Sequence, residues 1–226
     1  MKNLFLFLLL ILITSNSLYA QKDVEAKVIL NKVSEKYRTY DVIKTNFSFT
    51  IENQQAGVRE VRTGTMIAKS KSNKFRVIIY GPEESAKPII EQVIISDGKT
   101  QWTYLKKDNE VQENNPDNSA EGLNPAKIFT IYEKGYKYIY NGDSKVDGKV
   151  YQEIDLTPED IDKQFFKIRL EIDKLKKQIY SALIFDKNGN RYTYTLHSFT
   201  SDASVPENTF TFDPKEYKGV EVVDLR

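Results

Sequence analysis

Residues 75–104 read FRVIIYGPEESAKPIIEQVIISDGKTQWTY, and they predict paired β-strands. The apolar residues of the first strand alternate and so share one face: Phe75, Val77 and Ile79. The turn Ser96-Asp97-Gly98-Lys99 follows a second apolar run, and Asp-Gly is a strong hairpin signal because glycine adopts positive φ at no cost. The hairpin therefore lays large apolar side chains side by side, either as a filled core or as an empty trough.

The first 20 residues have the pattern of a secretory signal peptide. Lys2 precedes an apolar run at residues 4–13, and the small residue Ala20 ends the segment. The run is shorter than the ~20 residues that a membrane-spanning helix needs, which disfavours the alternative of an uncleaved anchor. We expect cleavage near Ala20 and export of residues 21–226. Neither a repeat nor a linker divides this remainder, so it is predicted to be one domain.

Charge and cysteine content narrow the function further. The signal peptide contains one of the 33 basic residues and none of the 32 acidic ones, so the mature chain is neutral. Neutrality argues against nucleic acid or an anionic membrane surface as the main partner, because both attract a basic excess. The chain has no cysteine, which excludes disulfides, thiol nucleophiles, cysteine-ligated metals and a lipid anchor on cysteine.

The remaining sequence predicts one helix and a large β-sheet. Residues 23–40 carry apolar side chains at helical spacing. Strands are predicted at residues 46–52, 58–68, 74–80, 88–96, 99–105, 136–140, 149–156, 165–173, 178–185, 191–199 and 209–212. Polar residues 108–122 predict an exposed loop, and Asn141-Gly142 predicts a turn. About eleven strands in one antiparallel sheet must twist and curl.

A short helix is predicted at residues 123–132, in the middle of the strands. Asn124 can cap it and Pro125 suits its first turn. Its apolar residues crowd one side: Ile128, Phe129 and Tyr132. Such a short helix is unstable alone, so it must dock on apolar surface. The fold class is thus mainly β with short helices, with the N-terminal helix and this second helix covering a strongly curved sheet.

Catalytic patterns are scarce. The single histidine, His197, has neither a cysteine nor a Gly-x-Ser-x-Gly motif to work with. The carboxylates at residues 153–155 and 171–173 lie among lysines and arginines and predict a solvated charged face. Residues 186–190 resemble a calcium loop but lack its terminal glutamate. We therefore predict no catalytic residue, no metal site, no cofactor and no enzymatic activity.

In the hairpin, Trp102 and Tyr104 follow the turn sequence Ser96-Asp97-Gly98-Lys99-Thr100. This hairpin resembles that of the LolA-type periplasmic carriers of outer-membrane lipoproteins. Residues 210–214 and 219–226 resemble the closing segment of that family, and the order of elements agrees over nearly all of the mature chain. The resemblance implies an unclosed β-barrel with a helical lid. It also implies a monomer in the periplasm that binds acylated lipoproteins and carries them from an inner-membrane donor complex to an outer-membrane receptor.

The resemblance also implies a site. Acyl chains would contact Phe47, Phe49, Phe75, Val77 and Ile79, with Trp102 added from the hairpin. The lid residues would be Ile128, Phe129 and Tyr132. The family closes its lid with an arginine just before the strand that starts near Phe75, but residues 69–73 here read KSKSN. Lys71 is the candidate replacement, although lysine lacks the planar fork of arginine.

Two alternatives to a lipoprotein carrier stay open. The chain is an exported carrier or sensor for another lipid or glycolipid, or it is a non-catalytic outer-membrane assembly factor whose concave face is filled by its own side chains. An open apolar cavity favours a carrier, and a packed concave face favours the assembly factor.

Overall fold

A computed structural model describes residues 23–81, 88–116 and 128–226. The predicted signal peptide and the predicted helix start at Asn124 and Pro125 lie outside these ranges. Helix α1 spans residues 23–39. The strands are β1 Val42–Asn53, β2 Val58–Lys69, β3 Lys74–Tyr80, β4 Ile90–Asp97, β5 Gln101–Leu105, β6 Glu110–Asn114, β7 Tyr136–Val146, β8 Lys149–Pro158, β9 Phe165–Asp173, β10 Gln178–Asp186, β11 Arg191–Leu196, β12 Thr200–Ser201 and β13 Glu221–Asp224.

These strands form one sheet in the order β13-β6-β5-β4-β3-β2-β1-β11-β10-β9-β8-β7, and β12 pairs with β1. Neighbouring strands are antiparallel, except that β13 runs parallel to β6. The two outermost strands, β7 and β13, each pair on one side, so the sheet curves without closing. The prediction of a mainly β protein with a curved, open sheet and an N-terminal helix is therefore confirmed.

Helix α1 packs on the sheet through the apolar residues that its periodicity selects. Its buried side chains are Ala26, Ile29, Leu30, Val33 and Tyr37. The Tyr37 hydroxyl accepts a hydrogen bond from the backbone N–H of Ile179, with 2.9 Å between the two atoms. Burial in this interface raises the pKa of the Tyr37 phenol despite that hydrogen bond. The helix is thus anchored at the start of β10, and we call the covered side of the sheet the inner face.

Two sequence predictions about loops are wrong. Residues 108–122 were predicted to be a loop, but residues 110–114 form β6, and Val111 is fully buried there. A single apolar residue among polar ones gives too weak a period-2 signal. Asn141-Gly142 is not a turn between strands, because both residues lie inside β7. The pairing of β7 with β8 shifts between Tyr140 and Gly142, and Gly142 has φ +115°, so the pair marks a β-bulge.

The C-terminal prediction also differs from the structure. Residues 209–212 were predicted to be a strand because two phenylalanines alternate there, but Glu207–Phe210 form a 3-10 turn. Pro206 and Asp213-Pro214 flank this segment and limit its extended length. The chain then continues into β13, which adds the parallel edge strand beside β6.

Candidate functional site: a cavity beneath residues 128–133

The inner face carries five of the six predicted acyl-chain residues. These are Phe47, Phe49, Phe75, Val77 and Ile79, and all five belong to or pack against one apolar cluster with α1. Gly64 lies between Phe47 and Ile79 in the pairing of β1, β2 and β3. A Cβ at Gly64 would lie 2.4 Å from Phe47 Cζ, so the phenylalanine ring occupies the space above the glycine. The alternation of β1 and β3 therefore brings these residues together as predicted.

Trp102 does not join them. It pairs with Ile95, which pairs with Arg76, whereas Val77 pairs with Ile94 on the inner face. Opposite residues of an antiparallel pair share a face, so Trp102 lies on the outer face. There its ring stacks on Phe212 of the C-terminal segment, with 6.3 Å between the ring centroids. The grouping of Trp102 with the acyl-chain residues is wrong, and its physical role is to pack beneath the C-terminal segment.

Residues 128–133 pack against α1, and residues 128–132 of this segment are the described part of the predicted lid. Ile128, Phe129 and Tyr132 are all buried. The edge of the Phe129 ring meets Tyr37, with centroids 4.8 Å apart, and the Tyr138 hydroxyl donates a 2.9 Å hydrogen bond to the Tyr132 carbonyl. Residues 128–129 form a 3-10 turn, and turns follow through residue 132. These three apolar side chains are therefore docked, and their role as a lid stays a prediction.

A polar contact also joins this segment to α1. Ser34 Oγ donates to Glu133 Oε1 at 2.6 Å, and Arg38 Nη2 lies 3.2 Å from the same oxygen. Ser34 and Arg38 are four residues apart and so project from one face of the helix. Sequence reasoning missed this contact. No local signal was available, because the side of the helix that carries Ser34 and Arg38 also carries three exposed polar residues: Lys27, Asn31 and Glu35.

A cavity of about 420 Å³ opens between segment 128–133, α1 and the β2–β3 turn. Its apolar lining comes from Tyr37, Ile43, Ala68, Phe75 and Phe129. Its charged lining comes from Arg38, Lys69, Lys71, Lys74 and Glu133. This volume falls within the range of ~300–1,000 Å³ that is typical of small-ligand sites. Among the five inner-face residues above, Phe75 lines this cavity, whereas Val77 and Phe47 are fully covered by neighbouring side chains.

A second cavity of about 340 Å³ lies on the other side of the Glu133 contact and includes Leu30, Tyr132 and Tyr138. Both cavities are lined by Ser34, Arg38 and Glu133. The polar contact between α1 and segment 128–133 thus borders both cavities.

The β2–β3 turn supplies the lysines at the cavity mouth. Lys69 Nζ lies 2.5 Å from one Glu207 carboxylate oxygen, and Lys74 Nζ lies 3.6 Å from the other. The hydrogen bond to Glu207 raises the pKa of Lys69 and, reciprocally, lowers the pKa of Glu207. Lys71, the predicted lid latch, lines the cavity near Phe129, but no hydrogen bond or ion pair joins it to a described residue.

The remaining polar candidates form local contacts. His197 Nε2 lies 3.0 Å from Ser48 Oγ just beyond β11. Within residues 23–81, 88–116 and 128–226, His, Asp and Glu side chains form no group of three that could hold a metal ion. A search of the same residues for a helix long and apolar enough to cross a membrane also finds none.

Comparison with known proteins identifies the family. The model of the outer membrane lipoprotein carrier protein LolA matches residues 38–213, so the chain belongs to the LolA family. An outer-membrane lipoprotein carrier protein of Legionella pneumophila (strain Lens) is 25% identical over 221 residues, which cover 96% of this chain and 98% of the relative. The carrier protein of strain Paris is 24% identical over 220 residues, with the same shares covered. The family resemblance inferred from the hairpin and the C-terminal segment is confirmed.

A solved structure shares the fold. The crystal structure of an uncharacterized conserved protein from Thermus thermophilus superposes with a TM-score of 0.55 at 16% sequence identity, covering 88% of this chain and 99% of that chain. At this identity the likeness concerns the architecture alone.

Proposed function

We propose that this chain is a non-catalytic periplasmic carrier that binds the acyl chains of lipoproteins on the inner face and delivers them toward the outer membrane. The observation that carries the proposal is the cavity between α1, the β2–β3 turn and segment 128–133, which opens onto an apolar sheet face. Membership of the LolA family supports it. Within this proposal, Phe47, Phe49, Phe75, Val77 and Ile79 contact acyl chains once the segment has moved.

The physical need for such a carrier is large. Each exposed methylene of an acyl chain costs ~0.8 kcal/mol in water, so an acylated protein without a cover would aggregate. An apolar trough relieves this cost without a cofactor. The same trough must release its cargo, which requires a cover that competes with the acyl chains for the inner face.

Segment 128–133 is the proposed cover. Phe129 and Tyr132 occupy apolar surface that acyl chains would need, and Glu133 fixes the segment to α1. The cavity of about 420 Å³ suits a single alkyl chain better than the three chains of a triacylated lipoprotein. Loading therefore displaces the segment, and its return helps to expel the cargo without ATP. Lys71, which lines the same cavity as Glu133, is a second proposed latch.

The loading and unloading steps of transport are proposed from membership of the LolA family. An inner-membrane donor complex would load the carrier, and an outer-membrane receptor would unload it. We propose that the signal peptide is cleaved near Ala20 and that the mature chain is a monomer. An intact mass that begins within two or three residues of Gln21, from a detergent-free periplasmic extract, would agree with this. A retained Met1 in the membrane fraction would contradict it.

The decisive experiment is transfer of a purified acylated lipoprotein from this chain to outer-membrane vesicles that bear the receptor. The matched control is the same lipoprotein without its acyl chains. We expect a soluble complex with the acylated form alone, followed by its delivery to the vesicles. Equal binding of both forms, or of neither, would rule out the carrier function.

The complete burial of Val77 and Phe47 in the closed structure also suits the second candidate, an assembly factor with a packed inner face. The two candidate functions differ in how the protein responds to an acyl chain. A carrier exchanges the cover for the acyl chains of its cargo, so acylated lipoprotein binds with saturation. An assembly factor with a permanent core shows no such saturable binding.

A further inference from the structure

The mouth of the cavity carries more positive than negative charge. Among the described residues that line it, four are cations and one is a carboxylate: Arg38, Lys69, Lys71, Lys74 and Glu133. The lysines come from the two strand ends and the turn between β2 and β3. This local excess stands out because the mature chain as a whole is neutral.

The ion pairs at the mouth leave part of this charge uncompensated. Glu133 faces Arg38, and Glu207 is shared by Lys69 and Lys74. In these ion pairs two carboxylates face three cations, and the charge of Asp41 acts on Lys69 without an ion pair. Lys71 has no ion pair with any described residue. A bound anion at this position would therefore gain attraction without first breaking an existing pair of Lys71.

The floor next to these cations is apolar. Ile43, Ala68 and Phe75 lie on the inner face next to the β2–β3 turn, and Phe129 of segment 128–133 also lines the cavity. Low-dielectric walls next to a cluster of one charge sign focus the field of that cluster into the opening. The geometry thus offers an apolar channel for one alkyl chain and a cationic end for its head.

We propose that this cavity binds single-chain anionic amphiphiles, with the chain on the apolar floor and a carboxylate or phosphate head at Lys71 and its neighbours. This inference rests on the proposed carrier function and specifies the ligand class of the closed state. Such a ligand enters without displacing segment 128–133, because the cavity is already open beneath it.

The test compares two ligands that differ only in head charge. cis-Parinaric acid is a fluorescent polyene fatty acid, and its methyl ester carries the same chain without the charge. Both become brighter in an apolar cavity, so titration of the intact mature protein gives a Kd for each. We expect the acid to bind about three- to tenfold more tightly than the ester, which is the size of a partly solvated ion pair. At about 1 M salt, where the Debye length is ~3 Å, this ratio should approach one.

The ratio of the two Kd values isolates the contribution of Lys71 to the preference for the charged head. In Lys71→Ala the preference for the acid should fall by about threefold, and Lys71→Glu should reverse it. Any effect of Lys71 on the opening of segment 128–133 affects both ligands equally and cancels in the ratio. The matched control is Lys99→Ala, an exposed lysine of the β4–β5 turn that lies outside the cavity lining. The control should keep the wild-type ratio.

The outcomes separate this inference from the carrier function. Equal binding of acid and ester by the wild-type protein overturns the charged-head proposal and leaves an acyl-chain carrier standing. Binding of neither ligand, together with no binding of acylated lipoprotein, overturns both. A last experiment adds acetate or inorganic phosphate, which carry a negative charge without an alkyl chain, to compete with bound parinaric acid. Displacement of the acid by these chain-free anions would reduce the mouth to a simple anion site and overturn the amphiphile assignment.

Discussion

The two halves of the inner face are covered in different ways. On β8 and β9 the inward side chains have no exposed surface: Ile154, Leu156, Ile168, Leu170 and Ile172. On β2 and β3 the inward residues Ala68 and Phe75 border the cavity, and lysines stand at its mouth. We call these regions the packed half and the cavity half. One sheet surface thus combines a fully packed region with a region that borders a cavity.

The difference follows from what each half faces. The packed half pairs branched aliphatic residues across strands, and each buried side chain of this kind contributes ~1.5–3 kcal/mol. The cavity half depends on aromatic and polar contacts with segment 128–133, including an ion pair whose arginine is 68% exposed. Exposed pairs of this kind contribute at most ~1 kcal/mol. Stability should therefore reside in the packed half, and ligand binding in the cavity half.

The largest expected effect comes from the packed half. Leu170→Ala removes a side chain with no exposed surface and should lower the free energy of unfolding by ~2–5 kcal/mol. Urea denaturation measures this, and parinaric acid binding per folded molecule should not change. The control is Leu175→Ala in the β9–β10 turn, where the leucine is 91% exposed and should contribute little. Loss of binding by folded Leu170→Ala would mean that the two halves are not separable.

A second test concerns the boundary between the halves. Gly64→Ala places a methyl group 2.4 Å from Phe47 Cζ and 2.6 Å from the Ile78 carbonyl oxygen. The backbone oxygen cannot turn away, so we expect a loss of ~1–3 kcal/mol in urea denaturation.

Gly81→Ala is the control for this test. Its added Cβ meets the flexible end of Glu91, with 2.8 Å to Oε1, and that side chain can move aside. A loss within about 0.5 kcal/mol is expected there. Equal stability of Gly64→Ala and the wild type would show that Phe47 is as mobile as a cavity wall and would extend the cavity half to β1.

The sequence predicted helix α1 and most strands better than it predicted the contacts that cover the cavity half. Helix α1 and strands such as β3 and β9 agree with their predicted ranges because periods of 3.6 and 2 are strong signals. Strand β6 was missed because Val111 is its one apolar residue. The contacts of Glu133 with Ser34 and Arg38 span 99 and 95 residues, and no local pattern contains such distances.

The error over Trp102 has a different cause. A one-residue change in register moves every side chain of a strand to the other face. The hairpin pairs Trp102 with Ile95 instead of Ile94, which places the indole under the C-terminal segment. Alternation within one strand shows which residues share a face, as Phe75 and Val77 do. It does not show which face of the next strand continues that surface.

A smaller effect is expected on the outer side of the packed half. Asp155 accepts two hydrogen bonds from Arg169, at 2.7 and 2.9 Å. Burial alone would raise the pKa of Asp155, but the hydrogen bonds from Arg169 and Asn141 and the charges of Arg169 and Lys167 lower it overall. The carboxylate therefore stabilises the fold fully above its unfolded pKa of ~3.9, and this contribution is lost as the pH falls through the folded pKa.

Asp155→Asn should accordingly cost ~1–2 kcal/mol at neutral pH, and the difference from the wild type should narrow below about pH 4. Urea denaturation over a pH series measures both. Asp162→Asn, at an exposed aspartate of the β8–β9 loop, is the control and should follow the wild type throughout. A constant cost of Asp155→Asn at all pH values would assign its effect to packing instead of charge.

The smallest effect on stability, and the sharpest on function, is expected for Glu133→Gln in the cavity half. The glutamine oxygen can still accept from Ser34, but the ion pair with Arg38 is lost, at a cost below about 0.5 kcal/mol. In the proposed carrier this contact holds segment 128–133 closed, so weakening it should favour the open state by about twofold. Acylated lipoprotein should then bind about twofold more tightly and leave more slowly for the receptor. Stopped-flow transfer measures this, with Glu35→Gln on α1 as control, since Glu35 forms no ion pair with a described residue. Faster release from Glu133→Gln than from the control would mean that Glu133 holds the cargo and not the cover.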